Sequence, residues 1–376
     1  MRALDFLIPE NVGTILVLGA ALLLYVASRA ALDALIRDLD IGMGRRALAH
    51  WLPVAAVALM ATVLQRPEIA VGVIFATSVA SLSLVVGIVS FVAAPRQAQV
   101  GSSDRSIGFP IEPTGDPPGP VAAEPAEASV SRLWPFVLPA ALIALIAGFS
   151  ARLTWIHAMA LTMQGLILLP LVQAETERLP GVHETRERMD GWRRWELVLA
   201  LALAALGAWA AVEGAVRVSG SLRVFSTGLI AATMLSPLLV LPMVAASVAL
   251  AHRRRESVAT GTSVGVVLLN LCLLLPAVIL LSYVVPELHV WSTRLFDPVT
   301  SADLSPATLP ALAEAPAPRL VFPIAVWRID TVLLIVLGLV LIPVALGRWT
   351  LGRGEGIALI LGYGIYIVLA TIMGIR

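Results

Sequence analysis

Residues 223–285 read RVFSTGLIAATMLSPLLVLPMVAASVALAHRRRESVATGTSVGVVLLNLCLLLPAVILLSYVV. Two apolar runs, each long enough to cross a hydrocarbon core at about 1.5 Å of rise per residue, flank the charged group His252, Arg253, Arg254, Arg255 and Glu256. The stretch is therefore a membrane hairpin. In its first arm Thr233, Ser236, Pro237 and Pro242 stand where a lipid-facing helix would carry Leu or Val, and each proline deletes a backbone donor. In the second arm Thr260, Gly261, Thr262, Ser263, Gly265 and Asn270 are small or polar. The expectation is a pair of helices broken at mid-depth, the arrangement in which unwound backbone and polar side chains supply a transporter's ligands.

A similar hairpin lies earlier, between Arg46 and Ala93. It carries Leu52-Pro53-Val54 in its first arm, a short turn Gln65-Arg66-Pro67-Glu68, and then AVGVIFATSVASLSLVVGIV. Two matching hairpins point to an internal repeat. The rest of the composition agrees with a chain that lives in lipid. It is 59% hydrophobic and 14% charged, with a mean hydropathy of +0.90, which excludes a water-soluble globule. A net charge of +1 gives no footprint for nucleic acid. Cys272, the single cysteine, sits in an apolar run, so neither an intramolecular disulfide nor a thiolate metal cluster can form. The first apolar run follows Asp5 and Glu10 and is succeeded by others, so it reads as a span rather than a cleaved signal.

Hydropathy gives ten spans, at about 12–30, 47–65, 69–94, 133–150, 153–174, 195–216, 225–251, 257–285, 329–347 and 355–375. The expected fold class is thus an all-α polytopic membrane protein, ten transmembrane helices in two inverted five-helix repeats. The first repeat occupies 1–174 and the second 195–376, joined by a charged cytoplasmic connector at 175–194. Residues 96–131, rich in Pro, Gly, Ser and Glu, are expected to form a disordered cytoplasmic linker. Residues 286–328 form a long external loop at the equivalent place in the second half. Most arginines fall on one side, including Arg45, Arg46, the cluster from Arg178 to Arg194 and Arg253 to Arg255, which makes that side cytoplasmic. Both termini then face outward from the inner (plasma) membrane. With an odd number of spans per half, the two repeats enter from opposite sides.

The hairpins resemble the calcium/cation antiporter superfamily, the sodium/calcium exchanger type. That family's repeats read approximately G-T-S-x-P-E in the first arm and G-N-x-x-G-S-N-x-x-N in the second. Pro67–Ser81, PEIAVGVIFATSVAS, is similar to the second-arm pattern, and Thr260–Asn270, TGTSVGVVLLN, keeps Gly261, Gly265 and Asn270 of it. Gly207–Pro237 resembles the family's long sixth helix leading into its seventh, and Gly354–Val368 its last span. The resemblance implies ten spans as two inverted halves of five, and cation antiport by alternating access. The family's ion-binding glutamate follows the motif proline. Here Val54 follows Pro53 and Leu238 follows Pro237, while Ser78, Ser81 and Val267 stand at asparagine positions.

The candidate solute- or ion-binding residues are Ser78, Ser81, Thr233, Ser236 and Asn270. Ser78 and Ser81 form one polar face with Thr77, which also suits close helix packing with hydroxyls bonded to backbone carbonyls. Asn270 has four hydrogen-bonding sites and needs partners in hydrocarbon. Thr233 and Ser236 flank the proline and could equally satisfy the carbonyls it frees. Glu213 and Arg217 have the i, i+4 spacing of a helix ion pair. Tyr363 and Tyr366 read as packing residues, and Glu355 suits the start of the last span. No nucleophile, base and orienting group occur together, and no metal-ligand spacing or phosphate loop is present. The chain is expected not to be an enzyme, with no catalytic residues, no cofactor and no metal site. Its partners are the lipid bilayer and a monovalent cation or small polar solute; no nucleic acid is expected, and no feature specifies a protein partner. The functional reading is a secondary transporter of the exchanger fold whose motif carboxylates are lost. The alternative is a transport-inactive membrane scaffold or partner subunit of the same fold.

Overall fold

Pro67 occupies the first turn of a helix, where its missing N–H costs nothing, and Gln65 before it takes a positive φ of 58°. Together they close the first hairpin. The N–H of Arg66 returns to the carbonyl of Ala61 at 2.7 Å and that of Gln65 to Thr62 at 3.0 Å, capping the helix that ends there. This geometry comes from a computed structural model that describes residues 12–35, 43–93, 134–149, 153–177, 191–222, 225–253, 255–296, 324–345 and 351–373. The expected linker at 96–131 and most of the connector 175–194 and of the loop 286–328 lie outside the described residues.

The described residues form helices α1 (Val12–Leu35), α2 (Met43–Val63), α3 (Pro67–Ala93), α4 (Val137–Phe149), α5 (Trp155–Glu177), α6 (Gly191–Leu222), α7 (Thr227–His252), α8 (Glu256–Val285, continuing to Phe296), α9 (Ile324–Val340) and α10 (Arg353–Met373). There is no strand among them. Seven are long and apolar enough to cross a membrane: α1, α2, α3, α6, α7, α8 and α10. The protein is integral to a membrane. Outward-facing Leu, Ile, Val and Trp on α1, α5, α6 and α10 form the surface that lipid covers, whereas α3 is enclosed almost along its whole length.

Small residues decide how closely the helices approach. Gly214 of α6 leaves room for Val17 and the carbonyl of Gly13, and Gly207 for Leu24, so α1 and α6 lie antiparallel along their lengths. At Gly72 of α3 an added Cβ would lie 2.8 Å from the carbonyl oxygen of Gly228, and at Gly265 of α8 one would lie 2.9 Å from Ala47 Cβ. The starts of α3 and α7 therefore meet at one face of the bundle, and the starts of α8 and α2 at the other. The Oγ1 of Thr227 adds a 3.1 Å hydrogen bond to Glu68 at the first of these junctions.

The mid-depth breaks take a form the sequence does not show. No residue of α2 or α7 is unwound: α2 runs through Pro53 as a continuous helix, which corrects the expectation of a broken second span. Single π-helical turns replace the breaks, at Ser81–Val85 in α3, Ala231–Leu235 in α7 and Asn270–Leu274 in α8. Each inserts one residue into the i, i+4 ladder and re-aims the side chains that follow. In α7 the π turn ends just before Pro237, with the N–H of Ser236 reaching back to the carbonyl of Ala231, so the ladder is already shifted where proline supplies no donor.

Candidate functional site

The enclosed centre is built on α3. Thr77, Ser78 and Ser81 are fully buried there, and each hydroxyl donates one turn back: Thr77 to Val73 at 2.6 Å, Ser78 to Ile74 at 2.7 Å, Ser81 to Thr77 at 2.7 Å. The protons of these hydroxyls are thus spent on backbone carbonyls. Their lone pairs remain. From α8, fully buried Asn270 donates Nδ2 to Ser78 Oγ at 3.1 Å and to Thr77 Oγ1 at 3.2 Å, joining residues 192 and 193 positions apart. Asn270 Oδ1 is buried and has no hydrogen-bond partner among the described residues. One strong acceptor, desolvated and free, faces the junction of the two hairpins.

Of the five sequence candidates, the hydrogen bonds bring together Ser78 and Asn270, with Thr77 as the third member and Ser81 one turn further along α3. Thr233 and Ser236 share no hydrogen bond with this group among the described residues. Thr233 donates to Leu229 at 2.8 Å and Ser236 to Ala231 at 3.1 Å, so both serve the carbonyls around the π turn of α7. After the two motif-like prolines, Val54 is buried in the apolar core and Leu238 is packed against it. No group of three or more His, Cys, Asp or Glu suited to a metal ion occurs among the described residues. The centre can offer a neutral ligand set of hydroxyls, backbone and one carboxamide oxygen, and no charge.

Away from the centre, Arg217 donates Nε to Glu213 at 2.7 Å, the expected helix ion pair, with both side chains part-exposed. Glu355 accepts the N–H of Gly352 at 2.9 Å and so caps the start of α10. Sequence reasoning missed Asp330 of α9, which is 1% exposed. Its only signal was an acidic residue inside the run IAVWRIDTVLLIVL, and a span taken to begin at 329 places that residue at a helix start, where a carboxylate is unremarked.

Solved structures of the sodium–calcium exchanger NCX_Mj share this fold. One, soaked with 10 mM Na+ and 10 mM Sr2+, superposes with a TM-score of 0.57 at 15% identity, over 96% of this chain and 99% of that one. The sodium/calcium exchanger from Methanococcus jannaschii gives 0.55 at 16% identity over the same shares. Residues 195–372, which include α6 to α8 and α10, match the family described as sodium/calcium exchanger protein. The second half of the chain thus carries a likeness to the exchanger family, and the whole chain has the exchanger fold. No curated protein matches it. Sodium/calcium exchangers are membrane transporters and not enzymes, the class the sequence reading expects.

Proposed function

We propose that this antiporter moves a monovalent cation or a small polar solute by alternating access between two inverted five-helix repeats, with the ligand held where α3 meets α8. The observation that carries the reading is the Asn270 bridge: its amide nitrogen is spent on Ser78 and Thr77, while its oxygen is buried and unpaired. An unpaired carboxamide oxygen in a dry interior costs about 1–3 kcal/mol, a cost that a bound cation or donor would relieve. Val54 and Leu238 leave no carboxylate to balance a divalent ion. Calcium prefers six to eight oxygens, and a buried site without negative charge repays little of its dehydration.

The inverted repeat is supported by three features. The two hairpins begin on opposite faces, as the Gly72–Gly228 and Gly265–Ala47 contacts require. The π turns of α3 and α8 begin at Ser81 and Asn270, which occupy the same place in the two motif-like runs. The matching family region includes the second hairpin. The domain division at 175–194, the cytoplasmic placement of the arginine-rich face and outward termini in the inner membrane belong to the same proposal.

Two measurements test it. Calorimetric titration of the purified protein should show no micromolar calcium site, and Asn270→Ala should leave that result unchanged. In proteoliposomes, sodium or solute counterflow should be saturable and should fall at least tenfold in Asn270→Ala. A saturable micromolar calcium site abolished by Asn270→Ala or Ser78→Ala would restore ordinary exchanger chemistry. Absence of any flux from well-folded protein would favour the scaffold reading, to which the closed hydroxyl-to-backbone bonds of α3 also conform.

A further inference from the structure

Asp330 has no part in the site above, and its surroundings are unusual. It lies on α9 about a turn and a half from the helix start at Ile324, and its Oδ1 has no hydrogen-bond partner among the described residues. Across from it on α10 stand Tyr366, whose side chain interacts with the carboxyl, and Tyr363, its ring centroid 5.8 Å from that of Tyr366. Both phenol oxygens also lack a hydrogen-bond partner in the geometry present, and Tyr366 is only 1% exposed. One carboxyl oxygen and two hydroxyls are thus buried together without a hydrogen-bond partner among the described residues.

The helices around this spot bring no compensating cation. On α3, which packs on α9, the titratable residue is Glu68, engaged by Thr227 at the far end. Helix α4, VLPAALIALIAGF, has none. On α10 the other charged groups are Arg353 and Glu355, in its first turn and at the opposite end from Tyr366. Arg328 of α9 is exposed and lines a groove of about 480 Å³ between α9 and α10 whose wall includes Tyr366. A permanently charged carboxylate in such a place would be costly, whereas a protonated one is a neutral donor and acceptor. The two phenols can turn their hydroxyls to the carboxylate when the proton leaves. The three side chains hold too few oxygens to replace the hydration shell of an alkali cation.

We propose that Asp330, with Tyr366 and Tyr363, is a proton-binding site of this antiporter. The O–H bond of the Asp330 carboxyl breaks, its proton passes to water by way of the α9–α10 groove, and the charge left behind is held by the two phenol hydroxyls. The proposal rests on the transport reading above for its role as the coupling site, but the binding itself is measured separately. In proteoliposomes, pH-difference infrared spectroscopy should show a protonated-carboxyl carbonyl band that disappears as pH rises and is missing in Asp330→Asn. Tyr366→Phe should keep the band and change proton affinity about tenfold, a shift of one pH unit. A spectrum of Asp330→Asn identical to wild type overturns the site; if that variant does not insert, an unshifted band in Tyr366→Phe does so. Counterflow measured on the same vesicles separates the two claims: flux without an Asp330-dependent band sinks the proton site alone, and the band without flux sinks the transport reading alone.

Discussion

In the proposed reading Val54 and Leu238 set the chemistry of this molecule more than any polar residue, because they follow the prolines after which the exchanger motif carries glutamate. Val54 lies in the core at 1% exposure, so a lone Val54→Glu would bury an unpaired acid and should cost several kcal/mol. Paired with Leu238→Glu, the same change should create a divalent site. The double variant is expected to have a lower thermal midpoint than wild type without calcium and to regain it with millimolar calcium, read by thermal unfolding in detergent. No calcium-dependent recovery would show that these positions do not face a common point. Asn270→Ala should cost ~1–3 kcal/mol of stability through the lost bonds to Ser78 and Thr77. Asn270→Asp, which keeps an acceptor but removes the donor, should not rescue it.

At the scale of the helix, glycines and π turns govern the packing. Gly72→Ala places a Cβ 2.8 Å from the Gly228 carbonyl, and backbone cannot yield as a flexible side chain can, so a loss of ~1–3 kcal/mol is expected. Gly19→Ala, with nothing within 4 Å of its added Cβ, should be neutral or slightly stabilising, since alanine is the better helix former. Equal midpoints for the two variants would mean that the α3–α7 junction carries no energetic weight. Seven of the spans were legible because a long apolar run has one physical meaning, although the eighth helix runs on to Phe296, well past the predicted end at 285. The π turns were not. Nothing in SLSLV or NLCLL distinguishes five residues of π from five of α geometry, and only the helices packed alongside fix the choice. The same limit applied to the site: Asn270 announced itself by chemistry, but its partners lie almost 200 positions away, and Asp330 resembled an ordinary helix start.

For the whole molecule, the arrangement of faces makes a sharp topological statement. In a Cys272-free background, a cysteine at Arg66 should react with an impermeant external reagent in intact cells, and one at Arg253 should not. External labelling at 253 would refute the inverted orientation. Residues 101–127 carry few large apolar side chains, so their deletion should leave membrane yield and thermal midpoint nearly unchanged. One contact described by neither hairpin bears on how such a bundle could move. Gly87 of α3 and Gly356 of α10 meet so closely that a Cβ on Gly356 would lie 2.7 Å from the Gly87 carbonyl, and Arg353 rests over the Phe91 ring 5.9 Å from its centroid beside them. Helix α10 is therefore pinned near one end and carries Tyr366 ten residues further along, about 15 Å from the pin. It has the geometry of a lever: a tilt of roughly 5° about the glycine crossing would move the phenol ~1.3 Å relative to Asp330, enough to make or break a hydrogen bond to the carboxyl without disturbing the crossing itself.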